Sequence, residues 1–127
     1  MSVMPFMDLL DIEVVASAAE EVRMRLPWRP EVCTAGDVMH GGAIMSLADS
    51  AGAMCAFLNL PDGAAGTTTI ESKTNFLRGA REGAIVASTQ PLHTGRTLIV
   101  LETLIVRADG APVAKVTQTQ AFHYPRA

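Results

Sequence analysis

A chain of 127 residues with 49% hydrophobic and 18% charged side chains is globular in composition, which excludes disorder, and reads as one domain spanning 1–127, with no second domain expected. Ten basic against thirteen acidic side chains give a formal charge of −3 with no Lys/Arg cluster, so no nucleic-acid partner is expected. Aromatic residues are only 5%, so the core is expected from Ala, Val, Ile, Leu and the seven Met.

The apolar segment 1–19 ends in Val15-Ala16-Ser17-Ala18-Ala19, which mimics a signal-peptidase site. Asp8, Asp11 and Glu13 interrupt it and no basic stretch precedes it, so no signal peptide is expected. No run of 18 uncharged apolar residues occurs, and no membrane partner is expected. Within this segment Pro5 to Leu10 reads as a short helix. Residues 12–18 and 20–26 read as strands, the second because Val22, Met24 and Leu26 alternate with Glu21, Arg23 and Arg25. Pro27 and Pro30 break regular structure, and Glu31 to Met39 reads as a loop. Cys33 and Cys55 stand 22 apart without a CxxC, which fits neither a disulfide framework nor a zinc site and makes a reducing cytoplasm the expected setting.

His40-Gly41-Gly42 then leads into Ala43 to Leu60, rich in Ala, Leu and Met and stopped by Pro61 with Asp62-Gly63 beyond. This is a helix by propensity and stop signal. Between Val38 and Leu60 the only formal charge is Asp49, so the helix is expected to be buried nearly all round. Thr67 to Leu77, Ala84 to Leu92, Leu98 to Val106 and Val113 to Phe122 follow as strands. Gly79 and Gly83 bracket a turn around Arg81-Glu82, Thr94-Gly95 marks another, and Asp109-Gly110 is the strongest hairpin signal. Short turns predict an antiparallel meander, with the sheet curled around the helix in an α+β fold.

Chemistry concentrates around that helix. A carboxylate in an uncharged buried helix costs several kcal/mol unless something satisfies it, which singles out Asp49 as a residue that caps or hydrogen-bonds a neighbouring strand, that reaches solvent at the helix edge, or that is reactive. Gly41 and Gly42 leave unshielded N–H groups at the positive end of the helix, suited to an anion or a developing oxyanion. His40 at the same end is either a structural hydrogen-bonding residue or part of the site. Gly41 and Asp49 are eight residues apart, about 12 Å along one helix, so one reacting carbon cannot sit against both. If both act on one substrate, they come from two chains of a twofold dimer with antiparallel helices.

The Thr run places Thr67, Thr69 and Glu71 on one strand face and Thr68, Ile70 and Ser72 on the other. Arg78, Arg81 and Arg96 fall at strand ends or turns, where they either hold phosphates or are solvated. His93 and His123 lack a partner at metal-ligand spacing, so no metal is expected. No GxSxG, P-loop or GxGxxG occurs.

His40-Gly41-Gly42, Ser46-Leu47-Ala48-Asp49, Thr69-Ile70-Glu71, Asn75-Phe76-Leu77-Arg78 and His93-Thr94-Gly95-Arg96 together resemble the hot-dog fold acyl-CoA thioesterases. The closest likeness is to the phenylacetate-pathway (PaaI-like) branch allied to 4-hydroxybenzoyl-CoA thioesterases, over residues 36–122. The resemblance implies a long central helix wrapped by a curved antiparallel sheet, assembled as homodimers or dimers of dimers with sites between subunits. It implies that Asp49 is the general base or nucleophile and that the Gly41 N–H polarises the thioester carbonyl. His40 shapes the loop or contacts the acyl group, and Thr68 or Thr69 holds the attacking water. Arg78 and Arg96 are the expected contacts of the CoA phosphates, with CoA part of the substrate and no separate cofactor. Relatives often carry Asn six positions before the motif His, where this chain has Thr34. Two alternatives on the same fold are an acyl-thioester hydratase or dehydratase and a non-catalytic acyl-CoA-binding protein; a third is a structural dimer.

Overall fold

The computed structural model describes residues 4–126. A short helix α1 (Pro5–Leu9) precedes strands β1 (Glu13–Ser17) and β2 (Val22–Pro27), as the sequence predicts. Val22, Met24 and Leu26 of β2 are fully buried while Arg23 is exposed, the signature of a strand with one face on a core. The loop that follows contains a 3₁₀ turn at Pro30–Val32 and is closed by an isolated bridge between Cys33 and Met39.

The long helix α2 (Gly41–Leu58) starts two residues earlier than expected because His40 caps it. It ends at Leu58, where the Asn59 side chain donates to the Cys55 carbonyl at 2.8 Å. By length and hydropathy, 18 residues averaging 1.3, α2 would suffice to cross a membrane. Here it is the core helix: Leu47, Ala48, Ala51, Cys55 and Ala56 are fully buried against the sheet.

Strands β3 (Gly66–Phe76), β4 (Ala84–Thr94), β5 (Leu98–Arg107) and β6 (Pro112–His123) match the four expected runs. With β1 and β2 they form one antiparallel sheet in the order β1-β2-β4-β5-β6-β3, curled around α2 in the hot-dog arrangement. The Asp109-Gly110 hairpin forms, with Gly110 in the left-handed region at φ 85°.

The expected four-strand meander is corrected. Strands β4, β5 and β6 are a meander, but β3 pairs with β6 and not with β4. The turn expected between Gly79 and Gly83 is instead part of a crossover over 77–83. Leu77 and Arg78 both donate to the Val113 carbonyl at the end of β6, and Met39 donates to the Ala80 carbonyl at 2.9 Å. The chain then enters β4 beside β2, and the N–H of Trp28, the residue after β2, donates to Gly83 O at 2.7 Å. The outer edge of β4 is therefore taken by β2, and β3 becomes an edge strand.

A second correction concerns faces. A β-bulge lies between Thr69, which pairs with Gln120, and Glu71, which pairs with Thr119. Ile70 is the extra residue. Glu71 thus faces away from the helix, where it accepts from the Thr119 hydroxyl at 3.1 Å, instead of sharing the face of Thr67 and Thr69. Beyond the bulge it is Ser72, Thr74 and Phe76 that share the inner face.

Candidate active site

The His40 ring folds back over the start of α2, and its Nδ1 accepts from the Gly42 N–H at 2.8 Å. An accepting Nδ1 places the imidazole proton on Nε2. Gly41, by contrast, has no acceptor for its N–H among the described residues. That donor sits at the positive end of an 18-residue helix. The missing side chain matters here: a Cβ on Gly41 would lie 3.1 Å from Cζ of Phe76, whose ring covers the first turn.

Asp49 lies two turns further along the same helix. The expectation that the helix is buried nearly all round is corrected: in the single chain one side of α2 is open and Asp49 on it is exposed, the solvent-reaching position that the sequence left open. The sheet covers one side of α2 only, and Gly42, Met45, Asp49 and Phe57 project from the other. Asp49 is nonetheless held. The Thr69 hydroxyl donates to its Oδ1 at 3.0 Å, and that hydroxyl in turn accepts from Gln120 Nε2 at 2.8 Å. Thr68 points to the opposite face of the sheet and meets His123 Nε2. Of the two threonines the resemblance left open, the structure brings Thr69 to Asp49 and leaves Thr68 away from it. Since α2 is one continuous helix, Gly41 and Asp49 remain about 12 Å apart along its axis within one chain.

Gln118 and Gln120 were not foreseen. Both are at most 1% exposed, and they donate in series: Gln120 Nε2 to Gln118 Oε1 at 2.9 Å, and Gln118 Nε2 to the Ala48 carbonyl at 3.1 Å. Read alone, Gln and Thr alternating at the end of β6 look like a solvated strand. The signal that finds them is parity. Ala114, Val116 and Phe122 are apolar at even positions, which puts Gln118 and Gln120 on the core face, where an amide needs a partner.

Two cavities meet at Ala53 on the exposed face of α2. One of about 420 Å³ is lined by Met4, Ala53, Met54, Phe57 and Thr67. The other, about 250 Å³, shares Met4 and Ala53 with it and brings Asp49 and Ser50 against Pro5, Phe6 and Met7. A third cavity, about 560 Å³, gathers Arg78, Arg81 and Arg107 beside Glu82 and Asp109. Each of these arginines is anchored by part of its fork: Arg78 to Pro112 O at 3.0 Å, Arg81 to Gly36 O at 3.0 Å, Arg107 to both oxygens of Asp109. The Arg107 hydrogen bond, helped by the Ala111 N–H, holds the Asp109 carboxyl below the usual carboxylate range. Arg81 and Arg107 join Arg78 here, while Arg96 does not. Arg96 sits in the β4–β5 turn, where its carbonyl accepts from the Tyr124 hydroxyl. Arg78 and Arg96 lie at opposite ends of β6, about 25 Å apart along the strand. Thr34 is exposed in the loop before the helix. Among the described residues no three His, Cys, Asp or Glu side chains converge as a metal site would require.

Residues 36–114 match the Thioesterase superfamily. The chain is 31% identical over 112 residues to the Pseudomonas aeruginosa thioesterase PA1618, covering 87% of this chain and 77% of that protein. The solved structure of a variant of PA1618 superposes with a TM-score of 0.89 at 29% identity, over 94% of this chain and 86% of that one. A Saccharolobus solfataricus protein named as an esterase, SSO2140, is 35% identical over 106 residues, 84% of this chain and 74% of that protein. The Mycobacterium tuberculosis protein Rv1847/MT1895 reaches a TM-score of 0.92 over 97% of this chain and 99% of that one; at 24% identity this likeness shows the fold alone. With the family match covering 79 of 127 residues (36 to 114) and the helix-in-sheet architecture above, the chain belongs to the thioesterase superfamily, with its hot-dog fold and a thioesterase-type activity.

Proposed function

We propose that the protein is an acyl-CoA thioesterase that works as a homodimer, or a dimer of dimers, with each site shared between two subunits. The observation that carries this reading is the placement of Gly41 and Asp49. A free N–H at the helix start and a carboxylate held by Thr69 are the two groups that acyl transfer needs, yet one helix keeps them about 12 Å apart. A second copy resolves the separation. The 11-residue β3 has an unpaired outer edge with no Pro and one Lys, so little opposes pairing along it. Antiparallel pairing of β3 with its twofold copy sets the two α2 helices side by side and covers the exposed Met45 and Phe57. Gly41 of one subunit then approaches Asp49 of the partner subunit.

In such a site the thioester carbonyl oxygen lies at the Gly41 N–H, which stabilises the negative charge that develops there. Asp49 either attacks the carbonyl carbon or takes a proton from the attacking water. The C–S bond breaks and CoA leaves as thiolate, which takes up a proton; where water attacked, the acid is formed directly, and where Asp49 attacked, water then hydrolyses the acyl-Asp49 anhydride to release the acid and restore the carboxylate. The apolar cavity of Met4, Met54 and Phe57 suits an acyl chain or aryl ring. Arg78, Arg81 and Arg107 are suited to the CoA phosphates, because the crossover that carries Arg78 and Arg81 packs against the loop leading into Gly41. Edge pairing also sets the Arg78 end of one subunit beside the Arg96 end of its partner, so both residues retain a phosphate role. Two free thiols, Cys33 and Cys55, fit a reducing cytoplasm. A hydratase would need a histidine beside the carboxylate, whereas the His40 ring is engaged as the helix cap.

The test is a thiol-release assay over short, medium, long and aromatic acyl-CoAs, with Asp49→Asn run beside the wild type. Asp49→Asn is expected to lower kcat at least about 100-fold with an unchanged circular dichroism spectrum. Equal turnover by the two proteins overturns the assignment.

A further inference from the structure

Four hydrogen bonds link Ala48 and Asp49, neighbours on α2, through β6 and β3. Their directions are all fixed by the first one. The Ala48 carbonyl can only accept, so Gln118 must turn its Nε2 toward it, at 3.1 Å. That leaves Gln118 Oε1 facing Gln120, which must answer with its own Nε2, at 2.9 Å. The second N–H of the same nitrogen goes to Thr69 Oγ1 at 2.8 Å. The Thr69 hydroxyl has one proton and now accepts from Gln120, so that proton points at Asp49 Oδ1, 3.0 Å away.

We propose that Gln118 and Gln120 are positioning residues: they direct the Thr69 proton onto Asp49 Oδ1 and so leave Oδ2 as the oxygen that meets the thioester or its water. The proposal rests on the thioesterase reading above. Without the two amides the Thr69 hydroxyl is free to turn and to accept from other donors, and Asp49, exposed on its helix, loses the anchor that Thr69 gives it. Packing does not call for amides here. The rest of the inner face of β6 is Ala114, Val116 and Phe122, and apolar side chains at 118 and 120 would extend the same core. The helix also makes room for the device: a Cβ on Gly52 would fall 2.0 Å from Gln118 Nε2.

The experiment is a double-mutant cycle on the full chain. Gln120→Met and Thr69→Val are each expected to lower kcat about tenfold, with KM within about twofold of wild type. The double variant is expected to fall no further than Thr69→Val, because Gln120 acts only through that hydroxyl. Losses that multiply, as for two independent packing defects, overturn the proposal. Gln120→Glu keeps the shape and reverses the polarity. The oxygen that replaces Nε2 faces both partners: its proton goes to the fixed acceptor on Gln118, its lone pair draws the Thr69 proton away from Asp49, and kcat is again expected to drop about tenfold. Wild-type turnover in Gln120→Glu overturns the proposal even if Gln120→Met does not fold. A third arm needs no turnover. In ¹⁵N spectra of the wild type, the Gln118 and Gln120 side-chain amide protons are expected to exchange slowly, and Thr69→Val is expected to shift the Gln120 pair. Exchange as fast as that of free glutamine overturns the relay. If Asp49→Asn retains full turnover, the thioesterase reading fails, and this spectral arm still decides whether the relay exists.

Discussion

Gly52 faces the Gln118 amide so closely that a Cβ at position 52 would stand 2.0 Å from Nε2 and 2.4 Å from Cδ. Alanine in place of this mid-helix glycine would ordinarily stabilise α2 by about 1 kcal/mol. Here it drives the amide out of a fully buried position and breaks its bonds to Ala48 and Gln120, at about 1–3 kcal/mol for each group left unpaired. The second effect is larger. Gly52→Ala is expected to lower Tm by about 5–10 °C and to reduce kcat as well. A Tm at or above the wild-type value would mean that Gln118 swings aside without cost.

Gly41→Pro removes the one N–H assigned to the carbonyl oxygen and little else. Proline is accepted at the first position of a helix, and the residue before it must be extended. His40 already is, at φ −63° and ψ 136°. The fold is therefore expected to survive, with only a small shift of the Phe76 ring that lies 3.1 Å from the Cβ position. Loss of an oxyanion donor predicts a fall in kcat of about 100-fold or more. Near-normal turnover with intact circular dichroism would show that the carbonyl is polarised elsewhere.

The arginine cleft should act on binding and not on chemistry. Arg81→Ala is expected to raise KM for a CoA thioester by about 3–10-fold with kcat nearly unchanged, an effect that shrinks as salt rises. An N-acetylcysteamine thioester, which lacks the nucleotide, should not distinguish the variant from wild type. Arg96→Ala should behave in the same way if the ends of two sheets meet as the edge-paired dimer requires. An effect of Arg81 but not Arg96 would point to a different pairing of subunits.

Burial pushes the Cys55 thiol from its ordinary 9.0 up to about 11. The unfolded chain releases this proton at lower pH than the folded one. The stability it contributes is therefore present in full below pH 9 and lost as pH rises through about 11. Thermal melts of wild type and Cys55→Ala at pH 8, 9, 10 and 11 test this. The wild type is expected to lose ground to the variant across that window, and parallel curves would mean that the thiol is not held protonated by the fold.

The sequence carried the elements and the carboxylate because their signals are local. Asp49 stands out as the single charge in an uncharged helix, and the Thr-rich run announces β3 whatever its neighbours are. What it concealed is non-local. Nothing between Leu77 and Gly83 says that the chain passes over the ends of β6 and β5 instead of turning back, because the deciding event is β2 claiming the edge of β4. The incomplete burial of α2 has a related cause. An apolar helix is expected to bury its surface, but the sheet of a single chain covers only one side of α2. Gln118 and Gln120 were hidden by composition and exposed by register.

The extra residue at Ile70 gives β3 a counting constraint. Thr69 and Phe76 are seven positions apart, an odd number, and in a regular strand they would look in opposite directions. The bulge cancels the odd count, so one strand serves the carboxylate with Thr69 and the helix start with Phe76. The identity of residue 70 is then nearly free, since its side chain is 59% exposed, whereas its presence is not. Shortening the strand by this one residue would turn one half over and strand either the threonine or the phenylalanine on the wrong side. Insertions and deletions in β3 are thus under tighter control than substitutions, and the control is exerted by arithmetic more than by chemistry.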